Sequence, residues 1–304
     1  MSRIPNNIHI VYGLSPSFGW SKAEGYPDDA DPFNLIRYLT VKSAWEVNKP
    51  DNIFFYYQHE PYGELWDAVQ QYITPVKIEA PTEIFGNPIK RYALKTDVIR
   101  LQILIEEGGI YLDSDVLCVK PLTPFLNLKG DQGGCIIGRE GMYDQKLTNA
   151  ILLAEKDSEF CKTWLAGFHD FDGTWGKHGV MLPYHLSQQY PNLVTVADYK
   201  KFTWPLYHTA AMKWFYRGEG WTPNSTDPNM ICSIGGALMS NETLEDSYCI
   251  HLWANHSIIR EFYKDWPKSH LAAGTWPADW MTVERIKTID TPFNLLARKF
   301  VQDL

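Results

Sequence analysis

Two aspartates separated by one residue, Asp113 and Asp115, are the side chains in this sequence best suited to holding a metal ion. They follow the apolar run Ile110–Leu112, which predicts a short β-strand, and open α/β sheets hold their ligands at the carboxyl ends of strands. By the two-residue period of a strand, both carboxylates should point the same way. Such hard oxygen ligands suit Mg²⁺ or Mn²⁺. A solvated acidic turn is the alternative, so the pair needs support from its surroundings.

The segment before this strand supplies a second pair of charges. Apolar residues recur at helical spacing over 94–105, and Gly108-Gly109 provides a left-handed residue that ends the predicted helix. Asp97 and Arg100 share one face of that helix, on its apolar side. A buried pair there is costly unless polar groups meet it, and an internal salt bridge is the alternative interpretation. Because the helix leads directly into the strand, we expect the four charged groups to converge on one crevice.

The first 140 residues alternate strand-like and helix-like patterns, which predicts an α/β domain with a largely parallel sheet. The predicted strands are Ile8–Tyr12, Asn52–Tyr57, Val76–Glu79, Ile110–Leu112 and Cys135–Ile137, and a helix is predicted over Phe33–Val47. The second half is rich in Trp, Pro and Gly and predicts long loops around a few strands and helices. No linker divides the chain into independent domains.

The composition excludes some classes of protein. With 304 residues, 45% of them hydrophobic, the chain is long and apolar enough to form a folded core. Its 36 acidic against 28 basic residues give a formal charge of -8, which argues against a nucleic-acid partner. The 12 Trp, 17 Tyr and 14 Phe predict either a bulky core or surfaces that stack on flat ligands.

The compartment predicted from the sequence is the cytoplasm. The five cysteines are odd in number, lie far apart and form no C-x-x-C pair, which indicates free buried thiols in a reducing environment. The amino-terminal residues lack the apolar segment of a signal peptide, and no window reaches the ~20 apolar residues of a membrane span.

The segment after Ser257 is nearly neutral, whereas the rest of the chain is acidic. It contains Trp266, Trp276 and Trp280, and a helix is predicted over Phe293–Val301. These features suit peripheral contact with the inner face of a membrane. Packing of an ordinary helix on the domain is the alternative.

The order of these residues resembles a known family. The pattern D-x-x-R, an apolar helix, Gly-Gly-Ile-Tyr-Leu-Asp-x-Asp-Val and Lys-Pro-Leu is similar to glycosyltransferase family 32, whose members share a sugar-binding region with a DXD motif and are related to the core of large glucosylating toxins. Further collinear matches are Ile4–His9, Ser43–Pro50, Thr148–Ala150 and Cys249–Trp253.

The resemblance implies a GT-A fold, a Rossmann-like nucleotide-binding sheet with a loop-rich acceptor side. It implies a single catalytic domain over 1–304, with a nucleotide-sugar-binding half at 1–120 and an acceptor half at 121–304. The implied reaction is metal-dependent and retaining. It moves a sugar from a nucleotide-diphosphate sugar, UDP favoured over GDP, to a glycan, polysaccharide or lipid-linked acceptor, with Mn²⁺ or Mg²⁺ as cofactor.

The resemblance also assigns roles to individual residues. The implied catalytic residues are Asp97, Arg100, Asp113 and Asp115, and the implied metal ligands are Asp113, Asp115 and His251. The implied donor-binding residues are His9, Val11, Tyr12, Gly13, Asp97, Arg100, Asp113 and Ser114. The implied acceptor-binding residues are Asn149, His178 and Trp253. Asp97 and Arg100 are expected to hold the donor sugar, and either Tyr12 or Trp45 to border the base. For His251, a packed histidine at a strand end is the alternative.

Two other functions and two mechanisms stay open at this point. A phosphatase of the haloacid dehalogenase type also has D-x-D after an apolar strand, although it favours Thr or Val where this chain has Leu117. A non-catalytic carbohydrate-binding protein would use the Trp and Tyr side chains as platforms, Trp175, Trp221 and Trp253 first. Retention could proceed through a covalent intermediate or by same-face attack with the leaving phosphate as base, which is favoured.

Overall fold

The computed structural model describes residues 4–18, 32–127, 134–141, 145–207, 209–218, 244–254 and 281–304. In chain order its strands are β1 (Asn7–Val11), β2 (Asn52–Tyr57), β3 (Thr74–Lys77), β4 (Glu83–Ile84), β5 (Asn87–Pro88), β6 (Gly109–Asp113), β7 (Val116–Cys118), β8 (Cys135–Arg139), β9 (Leu147–Ala154), β10 (Thr195–Ala197) and β11 (Cys249–His251). The predicted strands are all present, and the third begins two residues earlier than expected.

Seven of these strands form one sheet in the order β10-β8-β9-β6-β1-β2-β3. β1 runs parallel to β2 and to β6, β2 runs parallel to β3, and β9 is antiparallel to both of its neighbours. The α/β class with a largely parallel sheet is therefore confirmed. Val11 is the register partner of Asp113, so the carboxyl ends of β1 and β6 lie side by side.

The helices, in chain order, are α1 (Leu35–Asn48), α2 (Glu64–Val69), α3 (Tyr92–Glu107), α4 (Thr123–Leu126), α5 (Glu159–Ala166), α6 (Leu182–Gln189), α7 (Tyr199–Phe202), α8 (Thr209–Arg217), α9 (Val283–Thr288) and α10 (Pro292–Ala297). The Asn34 side chain caps α1 by accepting from the Arg37 N–H, and Lys49 ends it in a left-handed conformation. α3 ends at Gly108, whose φ is positive but whose ψ of -169° is not that of the predicted left-handed helical residue.

The hydrophobic core lies on both faces of the sheet. On one face α1 packs with the carboxyl-terminal helices, around Val41, Phe55 and Trp204. On the other face α3 and α5 bury Val98 and Trp164. Many of the aromatic side chains that the structure describes thus pack in this core, where each one buries a large apolar area.

The described carboxyl-terminal residues pack on the domain. α10 and the 3₁₀ turn Arg298–Val301 occupy the predicted helix, and they bury Phe293, Ala297 and Phe300 in the core. The membrane hypothesis for this segment stays a prediction, and the three tryptophans on which it partly rests lie outside the described residues. Within the part of the chain that the structure describes, no helix has the length and apolarity needed to span a bilayer.

Four of the cysteines are buried free thiols, as predicted, and although they are far apart in the sequence they lie in two pairs in the structure. The Cys118 and Cys249 sulfurs are 3.7 Å apart across β7 and β11, and those of Cys135 and Cys161 are 4.0 Å apart. The fifth, Cys232, lies outside the described residues. Pairing of strands and helices from distant parts of the chain brings them together.

Candidate active site

A cavity of about 690 Å³ opens at the carboxyl edge of the sheet. Its wall is formed by the segment after β1, the turn after β6, one side of α3, the start of β9, the loop before α6 and the segment after β11. The four charged residues Asp97, Arg100, Asp113 and Asp115 all line it, as expected from the order of helix and strand.

The turn Asp113-Ser114-Asp115 is fixed from below by α1. The Ser114 carbonyl accepts hydrogen bonds from Arg37 Nη1 at 2.9 Å and from Thr40 Oγ1 at 3.0 Å. Asp113 is the last residue of β6, whereas Asp115 belongs to the turn that leads to β7. The expectation that strand alternation orients both carboxylates is therefore wrong. The tight turn brings the second carboxylate back toward the first.

Asp113, Asp115 and His251 form a candidate metal site, with one possible ligand atom from each within 4.8 Å of the others. Antiparallel pairing of β7 with β11 brings His251 beside the turn, and its Nε2 lies 3.4 Å from Asp115 Oδ1. The Ala254 N–H donates to Asp115 Oδ2 at 3.0 Å. Two carboxylates and an imidazole are a donor set that suits Mn²⁺.

The charges of this site depend on each other. Burial alone would raise the pKa of Asp115, but His251, Arg37 and the Ala254 N–H together lower it to about 2. Burial alone would lower the pKa of His251, but the adjacent Asp115 raises it above its ordinary value. Each member of the pair therefore favours the charged form of the other, and His251 has to release its proton before its imidazole can bind a cation.

Arg100 holds a second cluster together, here called the deep network and made of Asp97, Arg100 and Asp113. Its Nη2 lies 3.2 Å from Asp97 Oδ1 and 3.2 Å from Asp113 Oδ1. Nη1 donates to the Asn149 carbonyl, and the guanidinium carbon lies 4.6 Å from the centre of the Tyr111 ring. The buried charge pair predicted from the helix face therefore meets polar partners from two strands.

Asp97 is held by contacts that only the tertiary structure supplies. Asn149 Nδ2 donates to its Oδ1 at 2.7 Å. A β-carbon at Gly179 would lie 2.6 Å from Asp97 Oδ2, so only glycine fits there without displacing the carboxylate. Burial raises the pKa of Asp97 to about 6, because the effect of burial is larger than the opposing effect of the Arg100 charge.

Tyr111 is a site residue that sequence reasoning missed. It is fully buried, and its hydroxyl donates to Asp113 Oδ1 at 2.7 Å. The signal was present, because residues two apart on a strand share a face and Tyr111 precedes Asp113 by two. A charge-assisted hydrogen bond of this kind fixes the carboxylate in orientation.

The end of β1 lines the cavity through Val11, Tyr12 and Gly13, as expected. Gly13 has φ +75°, and a β-carbon there would lie 2.5 Å from the His59 carbonyl oxygen. The Arg37 guanidinium carbon lies 4.9 Å from the centre of the Tyr12 ring. Trp45 does not line the cavity and packs against Tyr72 with ring centres 5.7 Å apart. Of the two predicted aromatics, Tyr12 is therefore the one at the cavity.

His9 was predicted to bind the donor, but the structure places it away from the cavity, deep in β1. Its Nε2–H donates to the Gly108 carbonyl at 2.9 Å, and its Nδ1 accepts from the Tyr56 hydroxyl, 3.0 Å away. Burial lowers its pKa to about 4. It is a neutral histidine that joins β1 to the end of α3, because both ring nitrogens are used inside the fold.

His178 was predicted for the acceptor, and it also lies outside the cavity lining. It is 2% exposed, and its ring packs against Phe168 and Phe171. Its Nε2 lies 2.8 Å from Asp170 Oδ1. The turn of π-helix Lys177–Met181 directs the side chain inward while the backbone beside it, at Gly179, lines the cavity.

The other two predicted acceptor residues, Asn149 and Trp253, line the cavity, as does Ser114 from the donor set. The Trp253 indole Nε1–H donates to the Pro205 carbonyl at 3.2 Å, and its ring centre lies 4.0 Å from that of His251. Trp175 lines the cavity as well. Trp221 lies outside the described residues.

Comparison with known proteins shows a similarity to a described family. Residues 41–132 match the family described as "Glycosyltransferase sugar-binding region containing DXD motif". This segment of the chain is therefore similar to that family. The match spans α1 through the Asp113-Ser114-Asp115 turn and confirms the resemblance seen in the sequence. With the mostly parallel sheet, it agrees with the predicted GT-A fold.

A curated relative is "Glucan organizing enzyme 1" of Cryptococcus neoformans var. grubii, 35% identical over 214 residues. The alignment covers 69% of this chain but 57% of the relative, so the chain spans little more than half of that protein's length. Among solved structures, mouse xyloside xylosyltransferase 1 is 13% identical with a TM-score of 0.46, covering 81% of this chain and 96% of that one. The galactosyltransferase LgtC is 15% identical with a TM-score of 0.40, covering 81% and 86%.

Proposed function

We propose that this chain is a metal-dependent, retaining glycosyltransferase that moves a sugar from a nucleotide-diphosphate sugar, UDP favoured, to a carbohydrate or lipid-linked acceptor. The observation that carries the proposal is the convergence of Asp113, Asp115 and His251 beside the deep network in one cavity. A bare D-x-D is common, but one that meets a histidine and a buried D-x-x-R pair is far more restrictive.

Positive charge is the first chemical requirement. A leaving diphosphate carries several negative charges, and the carboxylates at this edge of the cavity would repel it. A divalent cation held by Asp113, Asp115 and His251 would supply charge that offsets the leaving group. The imidazole ligand favours Mn²⁺ over Mg²⁺, which prefers oxygen ligands alone.

The second requirement is to hold the donor sugar while its anomeric carbon gains positive charge. Asp97 is fixed by Asn149 and Arg100, and it presents carboxylate oxygen to the cavity where sugar hydroxyls can donate to it. Arg100 keeps Asp97 and Asp113 from repelling each other. Such a preorganised arrangement needs no reorientation during the reaction. Attack on the face that the leaving group vacates stays our prediction for retention.

The nucleoside side of the cavity is built by Tyr12, Gly13 and Ser114, and Arg37 lies beneath Tyr12 and the turn. An aromatic ring with a cation behind it suits a flat base.

The name of the curated relative makes glucan the first acceptor class to test. A cytoplasmic location, peripheral membrane contact and the division into donor and acceptor halves also stay predictions.

A thermal-shift titration tests the proposal. UDP, GDP and their sugars are added to the full chain with Mn²⁺, Mg²⁺ or EDTA, and a ligand that binds only the folded state raises the midpoint. We expect stabilisation by a uridine nucleotide that needs Mn²⁺ and is lost in Asp115→Asn. Asp172→Asn is the matched control, because that carboxylate lies outside the cavity lining.

The same protein is then assayed for release of UDP from UDP-sugars. Metal-dependent turnover by wild type but not by Asp115→Asn is the expected result. Equal nucleotide binding by the two proteins would overturn the metal assignment. Binding of sugars without any nucleotide release would instead favour a carbohydrate-binding protein.

A further inference from the structure

The loop over 170–181, here called the rim loop, carries a large aromatic side chain at the mouth of the cavity. Trp175 is 55% exposed and lines the cavity. Among the large hydrophobic side chains that are exposed in the described residues, Met181 is the other one that lines it. An indole exposed at the mouth of a cavity offers a flat apolar face to a ligand.

The rim loop is held in place by a polar clamp, here called the rim clamp and made of Asp170, Asp172 and Lys177. Lys177 Nζ lies 3.1 Å from Asp170 Oδ2 and 3.0 Å from Asp172 Oδ2. Asp172 also accepts from the Thr174 N–H at 2.9 Å. The residue directly after this contact is Trp175, so its backbone is fixed on both sides.

The inner end of the rim loop is anchored as well. The buried Trp164 indole donates to the His178 carbonyl at 2.7 Å. The next residue, Gly179, lies against the Asp97 carboxylate. The rim loop therefore connects the exposed indole directly to the place where the donor sugar is proposed to bind. A ring held against Trp175 would enter the cavity on the side of Asp97.

The surroundings of Trp175 decide which chemistry suits it. The described wall of the cavity combines hydrogen-bonding side chains, among them Arg91, Thr96 and Asn149, with apolar ones such as Leu14 and Phe18. A sugar ring has an apolar C–H face for the indole and hydroxyls for the polar groups around it.

We propose that Trp175 is a specificity-determining residue on which the terminal sugar ring of a carbohydrate acceptor stacks. The identification of the bound sugar as an acceptor rests on the proposed glycosyltransferase function. The contact between the sugar and the indole is measurable without turnover. The clamp keeps the indole in position before the acceptor arrives, so less conformational entropy is lost on binding.

The test compares wild type, Trp175→Ala, Trp175→Phe and the control Phe85→Ala. Phe85 is 46% exposed, stacks on His169 and does not line the cavity. Each full-length protein is applied to a glycan array that presents oligosaccharides of glucose, mannose, galactose and N-acetylglucosamine. We expect wild type to be retained on at least one oligosaccharide and Phe85→Ala to match it. Trp175→Ala should lose about 10-fold in apparent affinity, near the upper end for the loss of one stacked ring.

Trp175→Phe should recover most of the binding, because a ring face is restored. The urea-unfolding midpoint of Trp175→Ala should match that of wild type, which shows that the variant is folded. Equal retention of Trp175→Ala and wild type would overturn the proposal, and so would absence of wild-type retention on every oligosaccharide. Glycan retention that needs Trp175 in a chain with no response to any nucleotide would refute the proposed function and leave the stacking contact standing.

Discussion

The molecule contains two networks in which aspartates share a basic side chain, and they differ in their access to water. In the deep network the Arg100 side chain is 5% exposed, and those of Asp97 and Asp113 are 12% and 24% exposed. In the rim clamp Lys177 is 37% exposed, and Asp170 and Asp172 are 72% and 49% exposed. The contacts are similar in length, near 3 Å in both networks.

The pKa values show what this difference does. Burial raises the pKa of Asp97 to about 6 even though Arg100 is in contact with it. The exposed Asp170 has a lowered pKa, because hydrogen bonds from His178 and Lys177 favour its charged form without a burial cost that outweighs them. Similar ion pairs therefore accompany opposite pKa shifts, because burial dominates at Asp97 and hydrogen bonds dominate at Asp170.

The largest expected effect is on activity. Asp115→Asn removes charge from the candidate metal site while preserving the size of the side chain. We expect sugar transfer or donor hydrolysis to fall by roughly 1,000-fold, the upper end for loss of one preorganised electrostatic group. Asp172→Asn in the rim clamp should change the rate of donor hydrolysis, which needs no acceptor, by less than about 3-fold. Similar losses in the two variants would remove the functional distinction between the networks.

Removal of the basic side chain that the aspartates share should lower the free energy of unfolding more in the deep network than in the rim clamp. Arg100→Met leaves Asp97 and Asp113 buried without their counter-charge, so we expect a loss of about 3–5 kcal/mol in the free energy of unfolding. Urea denaturation of the metal-free chain measures it. A loss below about 1 kcal/mol would show that water reaches this network and that its burial is overstated.

The pH dependence of stability should report on Asp97. Its pKa in the folded chain, about 6, lies above the ordinary 3.8, so the folded state holds this proton more tightly. The resulting stabilisation is complete below pH 3.8 and is lost as the pH rises through about 6. Relative to Asp97→Asn, wild type in EDTA should therefore lose up to about 3 kcal/mol between pH 4 and pH 7. A constant difference across that range would contradict the raised pKa.

A smaller effect is expected at Tyr111. Tyr111→Phe removes the hydroxyl that donates to Asp113 and keeps the ring under Arg100. Loss of a hydrogen bond to a charged group should cost about 1.5–3 kcal/mol in unfolding free energy. The Mn²⁺ concentration needed for half-maximal activity should also rise, because Asp113 loses a contact that orients it. Unchanged metal dependence would show that Arg100 alone fixes this carboxylate.

The smallest effect is expected in the rim clamp. Lys177→Met should lower the free energy of unfolding only slightly, because water solvates both carboxylates that it leaves. The same variant should weaken retention on oligosaccharides while UDP binding stays unchanged, since the clamp positions Trp175. Calorimetry measures the stability, and the glycan array measures the retention. A loss of stability as large as that of Arg100→Met would contradict the difference between the two networks.

Much of the fold was predictable because its signals are local. The strand Asn52–Tyr57 has the predicted bounds, and the passage from α3 into β6 follows from helical spacing, a glycine pair and a short apolar run. The aspartate turn at the end of β6 was predictable for the same reason. The expected pairing of its two carboxylates by strand alternation was wrong, since the strand ends at the first of them.

The errors and omissions concern side chains whose partners are far away in sequence. His9 and His178 have residue types that suit a site, but their neighbours in space use them inside the fold. Gly179 and Asn149 fix Asp97 from segments about 50 or more residues further along the chain. Nothing in the local pattern distinguishes an inward histidine from a cavity histidine, because that choice depends on packing.

The sequence by itself determined the α/β class, the order of the D-x-x-R helix and the D-x-D turn, and a family resemblance that its own residues carry. Periodicity, glycine placement and charge are properties of neighbouring residues, so they can be read without a structure. Only the tertiary structure decided that His251 meets Asp115, that the Ala254 N–H reaches the same carboxylate across 139 residues, and that Trp175 stands at the cavity mouth. Those contacts exist because β7 pairs with β11 and the rim loop packs against α3, and such pairings are set by burial of the whole core.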